Sequence, residues 1–214
     1  MSTTLALSAY PGDAAFSIGA LLRALPGERH HLTCFRVDEA ETLGFEHLGV
    51  SHAALDIPET ASAKTVTDAL APHLDRHPPD SILLPLGLPS RAGEALLSEV
   101  LPVLKRLAPA TRFLHYYDIP HVTQRKARYP ELAFARVIRG LSEADADAAV
   151  FQWKARGTTS AAALEAKRAA ALALRDELSR RLFPDPDFPP PTDEAELEAL
   201  LHRALGTREW VQSA

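Results

Sequence analysis

Two short polar segments contain the side chains best suited to binding a ligand or moving a proton. Residues 8–13 read Ser-Ala-Tyr-Pro-Gly-Asp, and residues 116–121 read Tyr-Tyr-Asp-Ile-Pro-His. Their phenol, carboxylate and imidazole groups can donate or accept protons, and Asp and His also bind metal ions. The candidate pocket residues in these segments are Tyr10, Gly12, Asp13, Tyr117, Asp118 and His121.

The elements that precede each segment explain why the two are expected to meet. Residues 5–9 form an apolar run that stops at Pro11-Gly12, after which apolar residues recur at helical spacing over 14–22. This pattern predicts a buried strand, a tight turn and a helix, which is the start of a βαβ unit. Ligands in open α/β sheets bind beyond the carboxyl ends of the strands, so both segments are expected to line one cleft.

Strand-like and helical patterns alternate through the first 117 residues. Strands are predicted near residues 5–9, 31–37, 53–57, 81–87 and 112–117, with helices at 14–22, 38–49, 64–74 and 91–107. This alternation favours an α/β fold, here a Rossmann-like, mostly parallel sheet with helices on both faces. No glycine-rich nucleotide-binding loop accompanies the strands, so the pattern gives no support to a nucleotide cofactor.

The carboxyl-terminal part of the chain is predicted to be helical. Helical patterns span residues 142–156 and 159–182, a proline-rich stretch occupies 183–191, and a last helix runs from Thr192 to Gly206. We therefore predict an α/β domain over residues 1–183. Residues 184–214 are predicted to form a Pro-rich segment and a C-terminal helix packed on the same domain. The apolar face of that helix is compatible with contacts within the domain or with a homo-oligomer.

Composition and charge limit which binding partners and which cellular location are expected. The chain has 214 residues, 46% of them hydrophobic, and a formal net charge of −5, which is typical of a globular protein with a sizeable core. Lys and Arg do not cluster, so nucleic acid is not an expected partner. The single cysteine, Cys34, excludes an internal disulfide. We see neither an apolar stretch of membrane-spanning length nor a signal peptide, and we expect a cytoplasmic protein.

The first polar segment resembles a motif of the LmbE-like (PIG-L) zinc-dependent N-acetylglucosaminyl deacetylases. Members of that family carry Ala-His-Pro-Asp-Asp, in which the His and the second Asp bind zinc and the first Asp is the general base. By this resemblance Tyr10 stands at the His position, Gly12 at the position of the base and Asp13 at the other zinc-ligand position. The motif thus retains one ligand position and lacks the base.

Two further segments extend the resemblance along the chain. Residues 88–91, Leu-Pro-Ser-Arg, stand where the family carries His-x-Asp-His, whose last His completes the zinc site. This alignment places Ser90 in the pocket and Arg91 at the position of the last His. Residues 116–121 resemble a Tyr-Glu-Asp-x-Pro-Tyr segment that helps to line the site in one bacterial branch of the family.

The nine histidines of the sequence offer no obvious replacement for the missing ligands. His30 and His31 are adjacent in a predicted strand and should point to opposite sides of it. A metal site rebuilt from Asp13 and His121 lacks a third protein ligand, whereas zinc needs about three. The remaining histidines of interest are interpreted as scattered surface or cap residues: His47, His52, His73, His77 and His202.

The resemblance extends along the chain, but two zinc ligands and the general base are missing. This combination favours a non-catalytic relative of the deacetylases. Such a protein is expected to hold no zinc and to keep a pocket for a sugar-like or other small ligand, or to serve a protein partner. The alternative is an active amide hydrolase of the N-acetyl sugar deacetylase type. It would use a relocated metal, or metal-free chemistry with Tyr10, Asp13 and His121.

The retained Asp13 also leads to a structural prediction. A partly buried carboxylate that has lost a neighbouring dication is costly to desolvate. The guanidinium group of Arg is always charged and can pair with a carboxylate through two hydrogen bonds. We therefore predict that Arg91, or a neighbouring donor such as Tyr10, contacts Asp13.

Overall fold

The backbone is organised around one seven-stranded sheet. The computed structural model describes residues 2–36, 38–75, 78–85, 92–116, 154–156, 160–177, 195 and 209–213. The strands are β1 (Thr3–Ser8), β2 (Glu28–Phe35), β3 (Ser51–Ile57), β4 (Ser81–Pro85), β5 (Arg112–Tyr116), β6 (Lys154–Arg156) and β7 (Glu209–Ser213). The described helices are α1 (Asp13–Ala24), α2 (Ala40–Leu48), α3 (Ala63–Asp75), α4 (Ala92–Leu107) and α5 (Ala161–Ala173).

Strand order identifies the edge of the sheet where a ligand is expected. The order is β3-β2-β1-β4-β5-β7-β6, and the five strands from β3 to β5 are parallel. The predicted mostly parallel α/β sheet is therefore confirmed. From β1 the chain proceeds outward through β2 and β3, and it then returns to β4 on the other side of β1. The topological switch point lies between β1 and β4, directly beyond the carboxyl end of β1.

Two layers of apolar side chains cover the two faces of the sheet. On β1, Leu7 packs with the cluster formed by α3 and α4, whereas the preceding Ala6 packs with the cluster formed by α1, α2 and α5. Side chains alternate in this way because successive residues of a strand point to opposite faces. Burial on both faces explains why the parallel strands appear in the sequence as continuous apolar runs. Among the described residues, no helix combines the length and hydropathy needed to span a bilayer.

The carboxyl-terminal part corrects the sequence-based prediction in two places. Lys154–Arg156, placed at the end of a predicted helix over 142–156, forms strand β6. Glu209–Ser213, for which no strand was predicted, forms β7 and pairs antiparallel with β5. These strands add to the parallel sheet beyond β5, so β5 is not left as an exposed edge. Helix α5 lies within the predicted helix over 159–182, while the predicted last helix lies outside the described residues except for position 195.

Candidate functional site

A tight turn connects β1 to α1 and presents residues 10–13 at the switch point. Gly12 adopts a left-handed conformation with φ of 79°, which lets the chain reverse before α1 begins at Asp13. The Tyr10 amide donates a hydrogen bond to Asp13 Oδ2 at 2.7 Å. Asp13 is fully buried, and its carboxylate lies in the first turn of α1, where a negative charge is favourable. The Asp13 side chain therefore holds the turn closed.

The Tyr10 side chain links three elements around this turn. Its hydroxyl donates to Glu59 Oε2 at 3.0 Å, just after β3, and accepts a hydrogen bond from the Gly93 amide at 3.1 Å. The ring packs against Phe35, with a centroid distance of 6.2 Å. A Cβ atom at Gly93 would lie 2.8 Å from the Phe35 ring and 3.0 Å from the Tyr10 hydroxyl. Only glycine therefore allows α4 to begin this close to Tyr10.

Gly12 has no room for a side chain. A Cβ atom at this position would lie 2.5 Å from Cε2 of Phe16, a fully buried ring one turn further along α1. The positive φ angle is a second obstacle, because β-carbon-bearing residues are strained in this region. A side chain at position 12 would therefore clash with the Phe16 ring.

The Cys34 thiol lies near Asp13 in a part of the protein that is shielded from solvent. Cys34 on β2 is completely buried, and burial, followed by the negative charge of Asp13, raises the pKa of its thiol to about 12. The thiol therefore stays protonated at neutral pH, and it forms part of the apolar packing under the turn.

The structure places only part of the predicted pocket. Tyr10, Gly12 and Asp13 lie together at the carboxyl end of β1. The other predicted pocket residues, and with them the Arg91–Asp13 contact and the shared cleft, lie outside the described residues: Ser90, Arg91, Tyr117, Asp118 and His121. Tyr10 does contact Asp13, through its backbone amide, while its hydroxyl is directed to Glu59 and Gly93.

A second polar cluster, which sequence reasoning missed, lies behind the turn. His31 on β2, Glu41 on α2 and His52 on β3 each offer one metal-ligating atom within 4.8 Å of those of the other two. The Nδ1 atoms of the two histidines are 2.9 Å apart, and His52 Nε2 lies 3.6 Å from Glu41 Oε2. We call these three residues the His-Glu-His cluster.

Hydrogen bonds connect this cluster to both ends of the turn. His31 Nε2 lies 2.7 Å from the Ser8 hydroxyl, which also accepts a hydrogen bond from the Ala14 amide at 3.1 Å. Glu41 Oε1 accepts a hydrogen bond from the Gly12 amide at 2.8 Å. The cluster therefore supports the turn that carries Tyr10 and Asp13.

Both imidazoles of the cluster are neutral at pH 7. Burial, and to a lesser extent the neighbouring His52, hold the pKa of His31 well below its ordinary value. Burial lowers the pKa of His52 to about 4. The rings stack on Phe45, with centroid distances of 3.8 Å for His31 and 5.3 Å for His52, so their orientations are fixed by packing.

The interpretation of His52 as a surface or cap residue is wrong, since its side chain is only 4% exposed. The error arose because β3 was predicted to begin at residue 53, which left His52 in a loop. The strand begins at Ser51, and its register places His52 directly opposite His31. A parallel pairing of the two histidine-bearing strands, with alternate side chains facing α2, is the signal that would have joined them.

Comparison with known proteins defines the fold. No protein-family model matches the sequence, and no curated protein matches it. The A40926 pseudoaglycone deacetylase Dbv21 superposes with a TM-score of 0.66 at 14% identity, covering 98% of this chain and 94% of that chain. A triple mutant of a deacetylase from the teicoplanin biosynthetic pathway gives 0.66 at 12% identity, covering 99% and 97%.

The hydratase GalB, which acts on 4-carboxy-2-hydroxymuconate in Pseudomonas putida KT2440, is also similar. It gives a TM-score of 0.63 at 14% identity, covering 100% of this chain and 96% of that chain. The protein is therefore an α/β protein with a doubly wound, mostly parallel sheet. More specifically, it shares its fold with these deacetylases, as the motif resemblance predicted. Because a hydratase shares the fold, the reaction must be inferred from the site.

Proposed function

We propose that this protein is a deacetylase-like binding protein that has lost the zinc ion and the hydrolytic activity of that fold. It retains a pocket for a sugar-like or other small ligand at the carboxyl end of β1. The observation that carries this proposal is the turn itself. By the motif resemblance Tyr10 and Gly12 stand at the positions of a zinc ligand and of the base. The Tyr10 hydroxyl bonds to Glu59 and Gly93, and the Phe16 ring leaves no room for a side chain at Gly12.

Metal-assisted amide hydrolysis needs a zinc ion held by about three protein ligands with one open coordination position. Of the motif positions that are described, Asp13 alone carries a carboxylate, and this carboxylate accepts the Tyr10 amide. The Tyr10 hydroxyl bonds to Glu59 and Gly93. These residues do not fit a zinc ion at this position, and we derive no catalytic step through one.

A general base is the second requirement of the reaction. The Phe16 ring fills the space that a side chain at Gly12 would need. A carboxylate at this position would require both movement of Phe16 and a strained backbone. The arrangement therefore supports loss of hydrolysis through loss of the base as well as of the metal.

The class of ligand follows from the fold and from the groups around the turn. The neighbours of known structure include deacetylases named for A40926 pseudoaglycone and for teicoplanin biosynthesis. In this chain the Glu59 carboxylate and the Tyr10 hydroxyl lie beyond the carboxyl end of β1, where ligands of open α/β sheets bind. Hydroxyl and carboxylate groups at such an edge suit a ligand rich in hydroxyl groups, such as a sugar.

Two parallel assays test the proposal with the full-length protein. Acetate release from N-acetylglucosamine is measured with and without added Zn²⁺, and binding of N-acetylglucosamine and glucosamine is measured by titration calorimetry. We expect no acetate above the protein-free control, together with binding that Tyr10→Ala weakens. Zinc-dependent acetate release would support the active hydrolase instead.

A matched pair of variants tests whether ligand binding, or any acetate release, depends on the carboxylate at the turn. Asp13→Asn changes the carboxylate at the turn, whereas Asp80→Asn changes one that accepts the Thr3 amide at the same 2.7 Å, at the amino end of β1. Because ligands bind at the carboxyl ends, Asp80→Asn should leave ligand binding unchanged. Acetate release that Asp13→Asn abolishes and Asp80→Asn preserves would contradict the loss of catalysis.

A further inference from the structure

The His-Glu-His cluster packs on a different face of the sheet from the Tyr10 ring. Tyr10 packs in the apolar cluster on the α3–α4 side of the sheet, whereas His31 stacks on Phe45, which belongs to the cluster on the α1–α2–α5 side. We propose that His31, Glu41 and His52 bind one Zn²⁺ ion in a structural site, separate from the position of Asp13.

The donor set suits zinc. Two imidazoles and one carboxylate form a ligand set that zinc favours, with Zn–N distances of about 2.0–2.1 Å. In a tetrahedral site two such nitrogen ligands lie about 3.3 Å apart. The His31 and His52 Nδ1 atoms are 2.9 Å apart and their ring centroids 5.1 Å apart, so the two nitrogens face each other. To bind one ion the rings would have to separate by a few tenths of an ångström and tilt until both lone pairs point to the same position.

The outer contacts of the cluster are those of a metal site. Metal-binding histidines usually donate their second ring N–H to a fixed acceptor, which orients the ring. His31 Nε2 faces the Ser8 hydroxyl at 2.7 Å, and donation to that oxygen leaves the Nδ1 lone pair directed at His52. The Glu41 carboxylate is oriented in turn by the Gly12 amide, which donates to its other oxygen.

The burial of the three side chains indicates a closed, structural site. His31 is 1% exposed, Glu41 is fully buried, and the His52 side chain is 4% exposed. A structural zinc is four-coordinate and enclosed by the protein, so here one buried water would complete the coordination begun by the three side chains. An ion here would join β2, α2 and β3 and, through the Gly12 amide, would brace the turn that carries Tyr10.

A chain of hydrogen bonds without metal is the competing arrangement. In it the Ser8 hydroxyl donates to His31, His31 Nδ1–H donates to His52, and His52 Nε2–H faces Glu41. Both arrangements need neutral imidazoles, which burial provides. They differ in whether Nδ1 of His31 carries a proton or a metal, and a metal titration distinguishes them directly.

The test is a Co²⁺ titration of chelator-treated, full-length protein, because Co²⁺ replaces Zn²⁺ and has visible absorption bands that report its coordination. We expect one equivalent to bind with a tetrahedral spectrum, to be displaced by Zn²⁺, and to raise the thermal unfolding midpoint as any ligand of the folded state does. Failure to bind one equivalent would overturn the proposal in favour of the hydrogen-bonded chain.

Matched variants test which side chains bind the ion. His52→Gln and Glu41→Gln should weaken Co²⁺ binding by more than the roughly 10–100-fold that loss of an outer-shell partner costs, and Ser8→Ala should fall within that range. The controls are His30→Gln, on β2 but hydrogen-bonded to the exposed Ser51 hydroxyl, and Glu46→Gln, on the exposed face of α2. Equal binding by His52→Gln and His30→Gln would overturn the assignment.

A second measurement uses the parent protein and needs no substitution in the proposed ligands. In ¹⁵N spectra of the histidine rings, Zn²⁺ should shift the signals of two of the nine histidines, and the same two should shift in His30→Gln. A zinc-induced shift of no histidine, or of His30, would contradict the proposal. Retention of Co²⁺ binding in Asp13→Asn separates this site from a metal at the turn, so each proposal can fail alone.

Discussion

Replacing Tyr10 with Phe is a direct way to measure how firmly the turn is held by the Tyr10 hydroxyl. The substitution keeps the ring against Phe35 and removes only the oxygen that contacts Glu59 and Gly93. Packing is therefore preserved, and any change in the free energy of unfolding reports the two hydrogen bonds.

The two hydrogen bonds contribute unequally to the free energy of unfolding. Gly93 is buried, so its amide loses its acceptor without gaining water, which costs about 1–3 kcal/mol. Glu59 is exposed, and its carboxylate is hydrated once the hydroxyl is gone. We therefore expect Tyr10→Phe to lower the free energy of unfolding by about 2 kcal/mol. At about 2–4 °C per kcal/mol for a chain of this size, the thermal midpoint should fall by about 4–8 °C.

The assay is urea unfolding followed by far-ultraviolet circular dichroism, with the denaturant slope required to match the parent protein. Glu59→Gln serves as the control, because the amide oxygen of Gln still accepts from Tyr10, and it should change stability by less than about 0.5 kcal/mol. A loss below about 0.5 kcal/mol in Tyr10→Phe itself would refute the reasoning, since the hydroxyl would then not be the required acceptor for the buried Gly93 amide.

Three further predictions concern the surroundings of the turn. Gly12→Ala should destabilise the protein by at least about 1 kcal/mol more than Gly49→Ala, measured by urea unfolding, because both glycines have positive φ but only at Gly12 does the Cβ meet a buried ring; equal losses would contradict this. Cys34, with its pKa raised to about 12 by burial and by Asp13, should resist a thiol reagent at pH 8 until the protein unfolds, and rapid labelling of folded protein would contradict its burial. In chelator-treated protein, stability should fall as the pH drops from about 6.5 to about 4, because unfolded His52 binds a proton over this range while the folded ring, with a pKa of about 4, does not. His52→Gln should flatten this part of the urea-midpoint profile, and an unchanged slope would contradict the assignment.

The first half of the fold could be predicted because its signals are local. The apolar run before Pro11-Gly12 and the helical spacing after Asp13 specify a strand, a turn and a helix within about twenty residues. The parallel strands are buried on both faces, so each one appears as an apolar run between turn residues. The sequence could therefore place residues 10–13 at the carboxyl end of the first strand.

The remaining features depend on contacts between distant parts of the chain. Strand β7 contains only five residues, Glu-Trp-Val-Gln-Ser, and its structure depends on pairing with β5, almost a hundred positions earlier. The His-Glu-His cluster likewise requires the register between β2 and β3 and the packing of α2 over them. Pairing and register across such distances are not encoded in local periodicity, so the prediction missed both features.

The proposed function requires that the turn at Asp13 binds no metal ion. The most direct measurement is the Co²⁺ stoichiometry of the His52→Gln variant, because this substitution removes the second candidate site and leaves the turn intact. We expect this variant to bind no Co²⁺ at stoichiometric concentration. Binding of one equivalent by His52→Gln, abolished by the further change Asp13→Asn and unaffected by Asp80→Asn, would contradict it.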